Sequence, residues 1–365
     1  MPYCPEIYKN AYIERFNANK IYVAPCCQAT SKLIDNESFD FKNNSYLSNL
    51  REAFDNDENP KECQACWKVE ELGHKSRRES AIEYHNNILD TSIDLESLDL
   101  NITWACNLAC IMCGPSCSSS WAKELKLNKS KRIAIGSDSQ KKNDIINNTT
   151  LDKIKKVHFN GGEPLSNVDH IQFLEKLNSQ RPLHNIFLSY NTNGTFYPSD
   201  DTIKMWEQAD LVKVFFSIDA TNEAFNYIRY PANWESVEKN ILDMKNNLPS
   251  NVMFGINATV GCYNLFEIAD VKLWFDKNLS CNREGDKSDF NWQLAENFHP
   301  KYVKNNIKKA AIKILEKDNI LNSISQLLKS EIMTEADYNW VNKLDEIDYR
   351  RNTDWKKTLE IGKYF

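Results

Sequence analysis

Cys106, Cys110 and Cys113 fall within one short stretch, TWACNLACIMCGPSC, with three residues between the first two and two between the last two. Three thiolates at that spacing wrap one metal centre and leave it a ligand short. A structural zinc site closes its fourth position with protein, whereas an iron–sulfur cluster on three thiolates keeps one iron open for another molecule. Cys117 follows four residues later. As a fourth ligand it would close the open position, so it reads as an idle thiol at a helix start or as a hydrogen donor.

A second group of thiols, Cys4, Cys26, Cys27, Cys63 and Cys66, occupies the first fifth of the chain. Cys4, one of the Cys26/Cys27 pair, and the Cys63-x-x-Cys66 unit supply four ligands for either zinc or an iron–sulfur cluster, and spacing alone favours zinc. Cys262 and Cys281 stand apart and read as buried small hydrophobes. Eleven cysteines in a chain whose first residues, MPYCPEIYKN, are too polar for a signal peptide point to metal chemistry rather than disulfides. A cytoplasmic location is the expectation.

The elements that must position these groups show in the hydrophobic pattern. Strand-length apolar runs at Leu98–Thr103, Lys156–Phe159, Asn185–Tyr190, Val212–Ile218, Val252–Val260 and Phe290–Leu294 alternate with helical patterns such as Val168–Leu177, Trp234–Asn246 and Leu265–Lys277. This is α/β alternation with a parallel sheet. Six units in roughly 200 residues fall short of the ~250 of a closed eight-stranded barrel, so the expected fold is a partial (β/α)6 TIM-like barrel. Its active site would lie at the C-terminal strand ends, where Cys106 follows the first strand. Residues 1–90 are expected to form a small, irregular, metal-stapled cysteine-rich module with a polar connector, and 91–300 the barrel. Residues 301–365 form a helical tail with apolar positions Ile307, Ala311, Ile314, Leu315, Ile324, Leu327 and Leu328. Lys126–Lys153 reads as a helix end and an exposed loop.

With 41% hydrophobic residues the chain can bury a full core, and it contains no run of ~18 apolar residues that would span a membrane. A net charge of −6 argues against general nucleic-acid backbone binding.

The cysteine triplet after the first strand is followed by Asn160-Gly161-Gly162-Glu163-Pro164 after the second and Asn191-Thr192-Asn193-Gly194 after the third. In this arrangement the chain resembles the radical S-adenosylmethionine (radical SAM) superfamily over about residues 95–295. The resemblance implies a [4Fe–4S] cluster on Cys106, Cys110 and Cys113 whose fourth iron is chelated by S-adenosylmethionine. Gly161 and Gly162 let the backbone approach the methionine amino group. Glu163 resembles the motif glutamate, and Pro164 stiffens the turn. Ser217 and Arg229 resemble residues that grip the SAM carboxylate, and Asn193, Asn257 and Thr259 are candidates for ribose and adenine contacts. The N-terminal cysteines, with APCC and ECQAC, resemble a twitch or SPASM-type extension. That raises an auxiliary [4Fe–4S] cluster over zinc.

The implied reaction is reductive cleavage of SAM, with an electron from flavodoxin or ferredoxin, and hydrogen abstraction from a substrate carbon by the 5′-deoxyadenosyl radical. A peptide or protein substrate leads. A small metabolite or sugar nucleotide, or a non-catalytic zinc- or cluster-binding interaction module, are the alternatives. Should a thiol quench the substrate radical, Cys117, Cys262 and Cys281 are the donor candidates.

Overall fold

The computed structural model describes residues 3–16, 19–71, 75–128, 149–166, 168–279, 289–331 and 337–365. Cys281 and most of the Lys126–Lys153 segment lie outside them. The chain forms two compact units, one of residues 1–105, 127–190 and 199–212, the other of residues 106–126, 191–198 and 213–365.

In the first unit the strands run in the order β3-β2-β1-β4-β5-β6, with β1 at Asn10–Arg15, β2 at Lys20–Ala24, β3 at Lys32–Asp35, β4 at Ser97–Asn101, β5 at Lys156–Asn160 and β6 at Phe187–Thr192. β1, β4, β5 and β6 are parallel, and β2 and β3 add an antiparallel edge. The alternation Leu98-Asp99-Leu100-Asn101 explains the layering. Leu98 and Leu100 are fully buried on one face with Val157, Phe159 and Leu188, and the Phe159 ring stacks 4.7 Å from Tyr190. On the other face Asp99, His158 and Ser189 stand opposite one another across three strands.

Residues 10–35 depart from the irregular module expected of them. β1 pairs along its length with β4, Asn10 opposite Ser97 and Glu14 opposite Asn101, so this stretch extends the sheet. Its period-2 pattern, with Ala11 and Ile13 at zero exposure, carried that signal beside the more conspicuous cysteines. The polar connector also holds a helix, Arg77–Tyr84, started by a capping box in which Ser76 and Glu79 satisfy each other's backbone N–H groups. Tyr46–Phe54, expected helical, lies in a helix over Ser45–Asp55 capped by Asn44.

The second unit contains β7 (Leu211–Phe216), β8 (Val252–Val260) and β9 (Phe290–Leu294) in that order, β8 and β9 being parallel. All six expected barrel strands are therefore present as β4–β9. Phe216 and Phe254 stack at 5.7 Å in the core beside Ile256. The C-terminal stretch is helical over Asn305–Leu315, Asn322–Ser330 and Asn339–Arg351. It buries Ile307, Ala311, Leu315, Ile324 and Leu328, whereas Ile314 is exposed, because the buried stripe of this helix includes Lys308 and Ile312 instead. Among the described residues no helix is long and apolar enough to cross a membrane.

Candidate functional site

The loop from Cys106 to Cys113 is held by backbone hydrogen bonds from two sides. Ala109 N donates to Tyr230 O at 2.6 Å and Ile111 N to Ile228 O at 2.9 Å, so the loop runs along the end of the Asn222–Ile228 helix. From the following helix, Ser119–Glu124, Ser120 Oγ donates to Cys106 O at 2.7 Å and Trp121 Nε1 to Cys110 O at 2.8 Å. Ser118 caps that helix by accepting from Ser120 N and Trp121 N. A loop so fastened presents its thiols from a fixed frame.

Cys110 is buried, Cys106 half-buried and Cys113 exposed. The Cys110 thiol is held below its ordinary range because the Cys113 S–H donates to it and the Arg229 guanidinium lies beside it, Nη1 to Sγ 3.8 Å. The same contact pushes Cys113 up. Cys106 Sγ accepts from Leu108 N at 3.5 Å and has Asn193 Nδ2 at 3.9 Å. The Cys113 S–H and the Arg229 cation favour thiolate character at Cys110.

Arg229 owes its position to Asp219, fully buried, whose Oδ2 accepts from Nε at 2.8 Å and pairs with Nη2 at 2.7 Å. Asp219 Oδ1 accepts from Thr259 N. Burial lifts the Asp219 carboxyl, and Arg229 opposes that rise. Burial works against the Arg229 cation as well, but the Asp219 charge prevails and its pKa goes up. Arg229, expected from its sequence position to grip a ligand carboxylate, is thus first of all an internal ion-pair partner next to Cys110. Ser217 is half-buried and its N donates to Thr192 O at 2.8 Å. Asn257 Nδ2 donates to Asn191 Oδ1 at 2.6 Å, and Asn193 Nδ2 to Asn107 Oδ1 at 2.9 Å. Cys117 is exposed, and the buried Cys262 donates its S–H to His299 O at 3.0 Å. All these residues belong to the second unit.

The Gly161–Pro164 turn lies in the first unit. Gly161 and Gly162 adopt φ of 79° and 43°. A Cβ on Gly162 would lie 2.4 Å from Ala105 O and 2.8 Å from Thr103 O, and one on Gly161 would strike the Asn101 side chain. Glu163 N donates to Ala105 O at 2.8 Å, so the turn is stitched to the residue that directly precedes Cys106 in the chain. Glu163 is fully buried and its Oε1 accepts from Leu165 N.

Four of the N-terminal cysteines, Cys4, Cys26, Cys63 and Cys66, line one small cavity of about 20 Å³, partly open to solvent, together with Arg77 and Arg78. Cys27 is exposed and absent from the lining, and its Sγ accepts from Arg77 Nη1 at 3.4 Å. Arg77 is fixed by Glu6 and Asp99 at 2.9 and 3.0 Å. Burial pushes Cys4 and Cys26 well up and Cys63 up to about 12. Thiols raised in this way ionise together only when a metal centre compensates. Among the described residues no three His, Cys, Asp or Glu side chains converge on a point that a single ion could occupy.

Three features lay outside the sequence reading. Asp219, the ion-pair partner of Arg229, is one. The polar row of Asp99, His158 and Ser189, in which His158 Nδ1 lies 2.7 Å from Ser189 Oγ and burial brings the imidazole down to about 4, shows only once the strands are in register. Arg351, in a tail with no nameable chemistry, reaches the Cys106–Cys113 loop.

Residues 100–262 match the sequence model of the Radical SAM superfamily. No curated protein matches the chain. Among solved structures, native anSMEcpe with bound S-adenosylmethionine is similar at 19% identity and TM-score 0.39, over 60% of this chain and 59% of that one. anSMEcpe with S-adenosylmethionine and the Cp18Cys peptide is similar at 17% identity and TM-score 0.37, over 62% of this chain and 60% of that one. SuiB of Streptococcus suis bound to S-adenosylmethionine gives 12% identity and TM-score 0.37, over 89% of this chain and 69% of that one. This chain spans less than two thirds of the anSMEcpe chains it resembles. Over residues 100–262, somewhat less than half of its length, the chain is thus similar to the radical SAM superfamily.

Proposed function

We propose that the chain cleaves S-adenosylmethionine reductively and uses the resulting radical to modify a peptide or protein substrate, with β4–β9 as the partial barrel. The observation that carries this is the Cys106–Cys113 loop, whose three thiols are presented by a backbone fastened on both sides, with the Arg229 cation beside Cys110. The donor set fits a [4Fe–4S] cluster with one open iron, since the loop offers three thiolates. When bound, that cluster and S-adenosylmethionine supply the electron and the 5′-deoxyadenosyl radical that takes a substrate hydrogen atom.

The protein's part is to bind and orient. Gly162, with no room for a Cβ, lets backbone carbonyl oxygens accept from an ammonium group, and Glu163 N–H holds that turn to Ala105 O. Arg229 balances the negative charge that gathers on Cys110. Asn193, Ser217, Asn257 and Thr259 are assigned to the nucleoside and carboxylate. In the first unit, Cys4, Cys26, Cys63 and Cys66 are assigned to an auxiliary [4Fe–4S] cluster. These four residues line one cavity, and Cys27, outside its lining, is left to Arg77. Flavodoxin or ferredoxin is the proposed reductant.

The test is anaerobic reconstitution with iron and sulfide, followed by S-adenosylmethionine and dithionite. About eight irons per chain and release of 5′-deoxyadenosine are expected; about four irons would remove the auxiliary cluster alone. No iron and no 5′-deoxyadenosine would overturn the reading in favour of a non-catalytic module.

A further inference from the structure

We infer that Arg351, 238 residues beyond Cys113, is a positioning residue for the cysteine loop, so that the C-terminal segment is part of the device that presents the thiols. The inference rests on the reading of that loop as a cluster holder. Arg351 is the last residue of the Asn339–Arg351 helix, which stops at Asn352 in the left-handed conformation, φ 54° and ψ 47°. Its side chain is only 2% exposed.

Nη2 donates to Ala109 O at 2.6 Å and to Glu124 Oε2 at 3.0 Å, while Nε lies 3.2 Å from both Glu124 carboxylate oxygens. The guanidinium carbon sits 4.9 Å from the Trp121 ring centre and 4.5 Å from that of Tyr230. Each of these partners grips the loop by another route. Trp121 Nε1 donates to Cys110 O, and Tyr230 O accepts from Ala109 N. The carbonyl that Arg351 holds belongs to the peptide bond leading into Cys110, so the fork fixes the plane from which the buried thiol departs. Glu124 orients the fork and balances its charge. A lysine carries the charge but cannot bond a carboxylate through two nitrogens, reach the carbonyl and stack on two rings together. A residue that merely fastened the tail would have no need of the loop carbonyl.

The experiment uses the full chain, free of iron and kept anaerobic, with the rate of N-ethylmaleimide labelling read by mass spectrometry at each cysteine. Variants are Arg351→Lys, Arg351→Met and Glu124→Gln. Asp345→Ala serves as a control that loosens the tail elsewhere by removing the acceptor of Trp355 Nε1. Arg351→Lys and Arg351→Met are expected to raise labelling of Cys110 by about tenfold, and Glu124→Gln by less, with Cys4 and Cys66 unchanged and the Asp345→Ala chain labelled like the parent. After reconstitution, Arg351→Lys is expected to hold the parent's iron yet give a changed electron paramagnetic resonance spectrum in the presence of S-adenosylmethionine. Unchanged Cys110 labelling in Arg351→Lys, or an equal rise in Asp345→Ala, would overturn the inference. Should Arg351→Met fail to fold, the lysine and Glu124→Gln variants decide. If the parent takes up no iron, the proposed function falls, whereas the labelling still reads the tether.

Discussion

Replacing Glu267 by Gln should make the protein more stable above neutral pH, by an amount that the structure sets. Glu267 begins the helix Glu267–Asn278, is 4% exposed, and accepts at Oε1 from Glu360 N at 2.7 Å, while Oε2 has no hydrogen-bond partner among the described residues. Burial pushes its carboxyl up to about 7 from an ordinary 4.5, against the opposing pull of the Glu360 N–H. A carboxyl with a raised folded-state pKa favours folding while protonated. That contribution is complete below about 4.5 and is lost as pH rises through 7. A shift of about 2.5 units corresponds to roughly 3 kcal/mol, and the part falling between pH 5 and pH 8 is about 2.5 kcal/mol. Glutamine keeps the acceptor for Glu360 N and never ionises. Urea unfolding of both chains at pH 5, 6, 7 and 8 should therefore show the parent losing about 2.5 kcal/mol relative to Glu267→Gln across that range. The comparison is of slopes, so a constant packing cost in the variant does not disturb it. Parallel pH profiles would refute the reasoning, because they would mean that the carboxyl is charged in the folded protein throughout. The site bears on function through the tail, since Glu360 lies nine residues beyond Arg351.

Gly162→Ala places a Cβ against two carbonyl oxygens at a positive φ, and the turn must move by about an ångström; a loss of about 100-fold in 5′-deoxyadenosine formation is expected at unchanged iron content. Arg229→Met leaves Asp219 buried and unpaired and should cost about 3–5 kcal/mol of unfolding free energy, of which Asp219→Asn in the same chain restores a large part; an additive double mutant would show that the pair is not coupled. Cys26→Ala should lower reconstituted iron from about eight to about four per chain while Cys27→Ala leaves it at about eight, and the reverse result would exchange their roles.

What could be read in the sequence follows from the range over which each signal acts. Strands β4–β9 were legible because their apolar residues recur within a strand's length of chain, and the cysteine triplet because its ligands are neighbours in the chain. β1 and β3 were passed over although Ala11 and Ile13 alternate correctly, whereas Ile21–Ala24, in β2, was legible as a short strand. In a short strand a period of two competes with the stronger impression left by Pro-Cys-Cys, and only pairing with β4, more than 80 residues away, makes it count. Arg229 was legible as a cation near a strand end, but not as the partner of Asp219, since a pattern gives residue types and not which charge meets which.

Arg351 is the limiting case. Nothing in RRNTDW marks a fork aimed at a carbonyl, and its target is 242 residues earlier. The physical reason why such a tether belongs at the end of the chain is that the loop's own residues are already spent. Cys106, Cys110 and Cys113 offer thiols, and Trp121 and Tyr230 hold the Cys110 carbonyl and the Ala109 N–H. The Ala109 carbonyl, buried beside them, needs a donor that these elements do not provide, and leaving such a group unpaired would cost about 1–3 kcal/mol. A buried guanidinium supplies it only if its own charge is met, which is what Glu124 does from the helix that follows the loop. Loop, following helix and tail are thereby coupled through one side chain, and a change that takes Arg351 from the Ala109 carbonyl reaches Cys110 through the peptide bond that precedes it.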